Sequence, residues 1–243
     1  LWLLSLRLHD VSIVDIAWGL GFVLIGWLGW LELEAPSLRQ TLVLSFVSIW
    51  GVRLALYLAR RNLGHGEDFR YQKIRKDIGP SFPISSLWII FGLQGLLMLI
   101  VSAPVQFVMT TQPAAVEPLG AMDFLGIVLW TTGIFFEAVG DWQLMRFKAN
   151  PTNKGRVLDT GLWRYTRHPN YFGDFCVWWG IFLFAAQVGG SWTLFGPALM
   201  SFLLMRFSGV PMLERTLGKR EKYRTYIETT STFFPMPPKK AAQ

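Results

Sequence analysis

The sequence predicts an all-α integral membrane bundle, and three observations carry that prediction. Hydrophobic residues fill 52% of the 243 positions and charged ones only 16%, whereas a soluble domain holds about a quarter charged residues. Most of the chain falls into apolar stretches of about 20 residues, each able to cross a hydrocarbon layer roughly 30 Å thick as a helix. The basic residues are confined to every second connection between those stretches. Without water the backbone must satisfy its own hydrogen bonds, and continuous runs of this length do so as helices.

Crossings are expected at 11–31, 39–59, 84–108, 122–146, 170–188 and 191–211, with residues 1–8 reading as the end of a further helix. That gives six or seven crossings in one domain over residues 1–243. The chain opens on Leu1, so an N-terminal piece is expected to be missing. Of 23 Lys and Arg, six lie in 60–76, six in 146–167 and seven in 215–240, while 32–38, 109–121 and 188–190 contain none. The positive-inside rule then assigns 60–82, 147–169 and the C-terminal tail to the cytoplasm. The net charge of +7 is therefore a topology signal first. Basic residues split among membrane-tethered loops do not make a nucleic-acid footprint. Cys176 stands alone, so no intrachain disulfide forms.

Taken in order, the predicted crossings carry charges that hydrocarbon does not tolerate cheaply. The first holds Asp15. The second holds Arg53, on a stripe with Trp50, Tyr57 and, just past its end, Arg61 at helical spacing. The fourth holds Glu137 and Asp141, four apart and so on one face. The fifth pairs Asn170 with Asp174 in the same way, and the sixth holds Arg206. A charge at a helix centre costs roughly 2.5–3.5 kcal/mol when it faces lipid. In the assigned orientation all six charges fall in the cytoplasmic third of their helices, which predicts one wet, polar cavity open to the cytoplasm. Trp27, Trp30, Trp88, Trp130 and Trp192 read as lipid-facing or interfacial tryptophans. Loop 60–76 mixes both signs with Gly64 and Gly66 and reads as a lid or a plain basic tether.

The densest polar segment is Gly161-Leu-Trp-Arg-Tyr-Thr-Arg-His-Pro-Asn-Tyr-Phe-Gly-Asp174, set directly against an apolar run. Lys148, Asn150, Asn153, Lys154 and Arg156 precede it. There is no Gly-rich nucleotide fingerprint after a strand and no Walker motif, so a nucleotide would be held by side-chain charge in a helical cavity. His9, His65 and His168 lie in separate segments without a companion ligand, and no metal is expected. Cys176 has no adjacent base, which leaves out a cysteine hydrolase.

The 161–174 motif, together with Tyr223, Tyr226 and Phe234-Pro235 in the tail, resembles the steroid 5-alpha-reductase and sterol reductase superfamily. Glu67-Asp68-Phe69-Arg70-Tyr71 and Asp-Ile-Ala-Trp-Gly at 15–19 resemble its DUF1295-type bacterial membrane proteins. The resemblance implies NADPH in a cytoplasm-facing cavity of a bacterial inner-membrane protein, reducing a carbon–carbon double bond in a lipid-soluble, steroid-like enone. It implies cofactor contacts from Arg53, Glu137, Asp141, Lys148, Arg164, Arg167, His168, Asn170, Tyr171 and Asp174. Asp15 stands where those enzymes place a Glu that hydrogen-bonds the substrate carbonyl. Their proton-donating Tyr is replaced by Trp50, which cannot protonate an enolate, so either Tyr57 or a protonated acid such as Asp15 is the expected catalytic acid, or the substrate differs from a 3-oxo-4-ene steroid. Glu137 departs from the Asn usual there. Isoprenylcysteine-type methyltransferases share the Arg-His-Pro-x-Tyr-x-Gly core, so an S-adenosylmethionine-dependent lipid methyltransferase is the alternative, ahead of a non-catalytic sterol binder.

Overall fold

The computed structural model describes residues 1–111, 118–207, 210, 214 and 221–239, and every regular element among them is helical. The chain is an integral membrane protein, and among the described residues four helical stretches are long and apolar enough to cross a bilayer, 13–31, 38–62, 69–101 and 121–149. It divides into two compact units, one of residues 1–119 with 188–193 and one of 120–187 with 194–243.

In the first unit α1 (Trp2–Leu8) ends at His9, which reverses the chain at φ 53°. Asp10 then accepts the Ser12 amide at 2.8 Å, and α2 (Ile13–Leu31) follows. The next helix, α3 (Leu38–Asn62), opens on a reciprocal cap in which Ser37 and Gln40 satisfy each other's backbone amides. The two helices meet at bare backbone, since a Cβ on Gly19 would lie 2.5 Å from the Gly51 carbonyl. Trp50 is fully buried beside this contact and packs edge-on against Phe22 at 5.5 Å.

The expected crossing at 84–108 is broken into pieces. Asp68 caps α4 (Phe69–Ile78), and Gly79 at φ 72° with Pro80 ends it. Then come α5 (Phe82–Ser86), a π-turn over Leu87–Gly92, α6 (Leu93–Val101) and α7 (Ala103–Thr110). Tyr71 Oη accepts from Gln94 Nε2 at 3.2 Å, although the two would be about 34 Å apart on a straight helix. The chain therefore folds back at Gly79-Pro80, and the crossing begins near Phe82. It breaks again at Ser102, before Pro104, which has no amide proton to donate. Near this break the Leu99 carbonyl accepts from Ser102 Oγ and Gln106 Nε2.

The second unit is built on α8 (Ala121–Ala149) and α9 (Pro169–Gln187). Gly126, Gly133 and Gly140 recur every seven residues on α8. They face Gly180, Gly173 and Pro169 on α9, with the Gly133 Cβ position only 2.6 Å from the Gly173 carbonyl. Small residues at such a seam let membrane helices approach to backbone contact. At 19 residues α9 is long enough for the expected crossing at 170–188, but it is less apolar than the four stretches above. The expected crossing at 191–211 is a 3-10 turn, α10 (Phe195–Phe202) and a π-turn over Leu203–Phe207; residues 208, 209 and 211 lie outside the described ones. So do Arg215, Lys219, Arg220 and Lys240 of the basic tail, and 112–117 of the acidic connection.

Helix α11 (Glu221–Thr229) leads to a tail laid along the 161–174 motif. Arg167 donates its amide to Ser231 O at 2.9 Å, and Met236 donates to Tyr165 O at 2.9 Å. Thr166 Oγ1 donates to Phe233 O at 2.8 Å. The Arg167 guanidinium reaches Glu214 at 2.7 Å, Thr232 Oγ1 at 2.7 Å, Ile227 O at 3.0 Å and the Thr230 carbonyl. Phe233 and Phe234 pack against Phe172 and Phe175. Burial pushes the Glu214 carboxyl up, but His168 and Arg167 beside it more than offset this and hold it at about 2.

Two outcomes follow for stability. Gly133→Ala forces a methyl into the α8–α9 seam and should cost about 1–3 kcal/mol, whereas Gly95→Ala, with open space around it, should be neutral. Thermal unfolding in detergent distinguishes them, and equal effects would mean the seam is not packed. Glu214 stabilises the ionised, folded form above its ordinary value of 4.5, and that contribution is lost as pH falls toward 2. The unfolding temperature of the parent should therefore drop more steeply between those pH values than that of Glu214→Gln. The variant itself should lose about 1.5–3 kcal/mol at neutral pH.

Candidate functional site

Helices α8 and α9 carry three of the four acidic residues that the sequence placed inside crossings, Glu137, Asp141 and Asp174. Glu137 and Asp141 are 3% and 4% exposed, one turn apart on the side of α8 that meets α9. Asp141 Oδ1 accepts from Asn170 Nδ2 at 3.3 Å, and Asp174 sits one turn further along α9. The seam explains this placement: glycines remove the side-chain layer between the helices, so residues beside them are buried against the opposite backbone. Glycine at 173 leaves the space that the Glu137 side chain occupies, since a Cβ there would lie 2.7 Å from Glu137 Cγ.

A cavity of about 520 Å³ opens at the C-terminal end of α8. Its walls are the last turns of α8 with Leu144, Phe147 and Lys148, the segment Asn150–Leu158, Trp163, Arg167 and His168 of the motif, and Tyr223 and Tyr226 of α11. Lys148, Lys154 and Arg156 are exposed at its edge, while Arg167, His168 and both tyrosines are buried. No Asp or Glu lines it among the described residues. The His168 ring stacks on Tyr171 at 5.3 Å, nearly parallel, with Nε2 3.4 Å from Glu214. Trp163 is fixed by its indole N–H on the Gly140 carbonyl at 3.1 Å, and Tyr226 Oη donates to Trp163 O. Burial, with Glu214 nearby, pushes the Tyr223 phenol up to about 12, and burial pushes Tyr226 up as well. Both remain neutral hydrogen-bonding walls at physiological pH.

The expected site residues divide between the units. Lys148, Arg167 and His168 line the cavity, Tyr171 supports His168, and Glu137, Asp141, Asn170 and Asp174 form the acidic α8–α9 face. Arg164 is exposed at the end of a short 3-10 turn and is not part of the cavity lining. Arg206 is exposed in its π-turn. Asp15, Arg53 and Tyr57 belong to the first unit. There Asp15 accepts Tyr71 Oη at 2.6 Å and Arg70 Nη2 at 2.7 Å. The Asp15 carboxyl is thereby engaged by both Arg70 and Tyr71. The sequence reading named Trp163, Tyr223 and Tyr226 as residues of the resemblance but not as cavity walls, and it did not identify Tyr71 or Glu214 as partners.

Comparison with known proteins places the chain in a family. The family model "protein of unknown function (DUF1295)" matches residues 1–230. An uncharacterised protein of Schizosaccharomyces pombe is 26% identical over 97% of this chain and 75% of its own length. A "probable O-methyltransferase" of Ustilaginoidea virens is 33% identical, over 44% of this chain and 37% of its own length. No solved structure matches. With a match from the first residue through α11, the chain belongs to the DUF1295 family, within the steroid 5-alpha-reductase-like superfamily.

Proposed function

We propose that the protein is an NADPH-dependent reductase that acts, within the membrane, on a carbon–carbon double bond of a steroid-like or other apolar enone. The observation that carries this reading is the character of the cavity wall. Lys148, Lys154 and Arg156 stand at its edge, aromatic rings line it, and no carboxylate is among its described residues. Phosphate oxygens form short, charge-assisted hydrogen bonds with such cations, and a flat base stacks on aromatic faces. The donor set therefore fits a phosphorylated dinucleotide.

NADPH, when bound, supplies the hydride. The protein's part is binding, orientation and proton supply. Lys148, Lys154 and Arg156 hold phosphate, while Tyr171 and Glu214 fix the His168 ring. Asn170 and the acids Glu137, Asp141 and Asp174 offer partners for ribose hydroxyls. Reduction of an enone builds negative charge on the carbonyl oxygen, which a preorganised donor stabilises. The family resemblance gives that role to Asp15 or Tyr57. A cytoplasmic position of 147–169, in a bacterial inner membrane, would give the cavity access to soluble cofactor while the substrate enters from lipid.

A methyltransferase using S-adenosylmethionine is the second reading, favoured by the relative described as a probable O-methyltransferase. Against it, a sulfonium carries positive charge and the cavity edge repels it.

Purified protein should be stabilised by NADPH, by about 2.7 kcal/mol at 100 times the dissociation constant, with little effect from S-adenosylmethionine. Thermal shift reads this directly, and the reverse order would select the methyltransferase. Replacing Lys154 and Arg156 together by Ala should weaken NADPH binding by at least tenfold without altering the unliganded melting temperature, because both side chains are exposed. Unchanged binding in a titration of that variant would remove the cavity from the cofactor site.

A further inference from the structure

Loop 60–76 and α4 contain more charge than their internal pairs consume. Arg70 is bound by Asp15 at 2.7 Å and by Asp68 at 2.9 Å, and Arg75 by Glu67 at 2.7 Å. Glu67 also accepts the Val11 amide, and Asp68 caps α4. Burial raises both carboxyls, but their Arg partners and these amides outweigh it and hold each below its usual range. These contacts fix α4 on the start of α2. They leave Arg60, Arg61, Lys73 and Lys76 exposed, against Asp77.

Helix α4 is two-sided. Tyr71, Ile74 and Ile78 pack with Val11, Val14 and Phe82. The opposite face, at positions 69, 72, 73 and 76, holds Phe69, Gln72, Lys73 and Lys76, all exposed, with Phe69 at 69%. Leu63, 63% exposed, precedes it on the loop that leaves α3. Arg61, exposed in the last turn of α3, precedes Leu63 by two residues. In water an exposed Phe and Leu among four cations have nothing to bury against. This surface follows directly from α3, whose 25 residues are apolar enough to cross the bilayer, and leads through Gly79-Pro80 into the next crossing. A short amphipathic helix with an aromatic anchor and lysines beside it is the chemistry of an interfacial segment. Juxtamembrane cations of this kind are attracted to anionic headgroups.

We propose that the outer face of α4, with Leu63 and the end of α3, is a binding surface for anionic phospholipid. Phe69 and Leu63 enter the acyl boundary, and Arg60, Arg61, Lys73 and Lys76 engage headgroup phosphates. The inference is independent of which cofactor fills the cavity of the other unit.

The test uses the full chain. After delipidation and re-addition of an equimolar mixture of phosphatidylglycerol and phosphatidylcholine, retained lipid is counted by mass spectrometry. The parent should enrich phosphatidylglycerol. Lys73→Gln with Lys76→Gln should reduce that enrichment by roughly fivefold per cation at low salt, with helicity and unfolding temperature unchanged. Equal enrichment in the variant would overturn the proposal. Because the only cysteine is buried, Phe69→Cys in a Cys176→Ala background gives a single site for a nitroxide. In bilayers containing phosphatidylglycerol the label should collide with oxygen in preference to a water-soluble nickel chelate. A label open to the chelate in lipid and shielded only on adding NADPH would make α4 a lid over a soluble ligand, which also overturns the lipid assignment.

Discussion

The backbone contact between α8 and α9 is the constraint on which the second unit depends. Association of helices inside a bilayer gains nothing from the hydrophobic effect, because the surrounding lipid is as apolar as leucine. Close packing and polar contacts must supply the attraction. Three glycines on α8 and two on α9, each set spaced by seven, bring the helices within van der Waals reach of each other's carbonyls. That approach buries Glu137 and Asp141 against α9 instead of lipid. It also fixes the direction in which the 161–174 motif enters α9, because Gly140 meets Pro169 and receives the Trp163 indole bond.

Charge in the first unit is handled differently. Asp15 lies in the first turn of α2, and the structure brings Arg70 and Tyr71 to it from α4. Arg70 bridges Asp15 and Asp68, the Tyr71 phenol joins at Asp15, and Gln94 from α6 extends the cluster. Such a cluster lowers the desolvation cost that any one member would meet alone. It also explains why the chain folds back at Gly79-Pro80, since a straight continuation of α4 would carry Tyr71 away from both partners.

How much of this was legible in the sequence depended on the period of the signal. Apolar runs gave the long helices, and the start of α3 agreed within a residue because Ser37 and Gln40 form a local cap. The acidic pairs on α8 and α9 were readable because four-residue spacing is set by the helix itself. Contacts between distant segments were not readable. Nothing local in Phe69–Ile78 says that Arg70 belongs to Asp15, 55 positions away, and the heptad glycines were overlooked because glycine gives no hydrophobic signal. The break at Ser102 was hidden inside an unbroken apolar run, where only Pro104 marked it.

Arg167 shows why a motif residue need not do what its charge suggests. The family resemblance implies a contact from it to the cofactor. In the structure its Nε, Nη1 and Nη2 all donate within the protein, to Glu214, to the Ile227 and Thr230 carbonyls and to Thr232. A guanidinium has five N–H donors in a fixed fork, and here that fork gathers a carboxylate, a helix end and the tail around one buried point. The cations with room for a ligand are Lys154 and Arg156 on the preceding segment, which are exposed and enter no ion pair among the described residues. The division of labour follows from desolvation. A buried cation needs every donor satisfied before any ligand arrives, whereas an exposed one is satisfied by water and can exchange it for phosphate. The motif arginine therefore builds the cavity by holding the tail that carries Tyr223 and Tyr226 to its wall, and the less patterned cations at the edge are the ones positioned to read what enters.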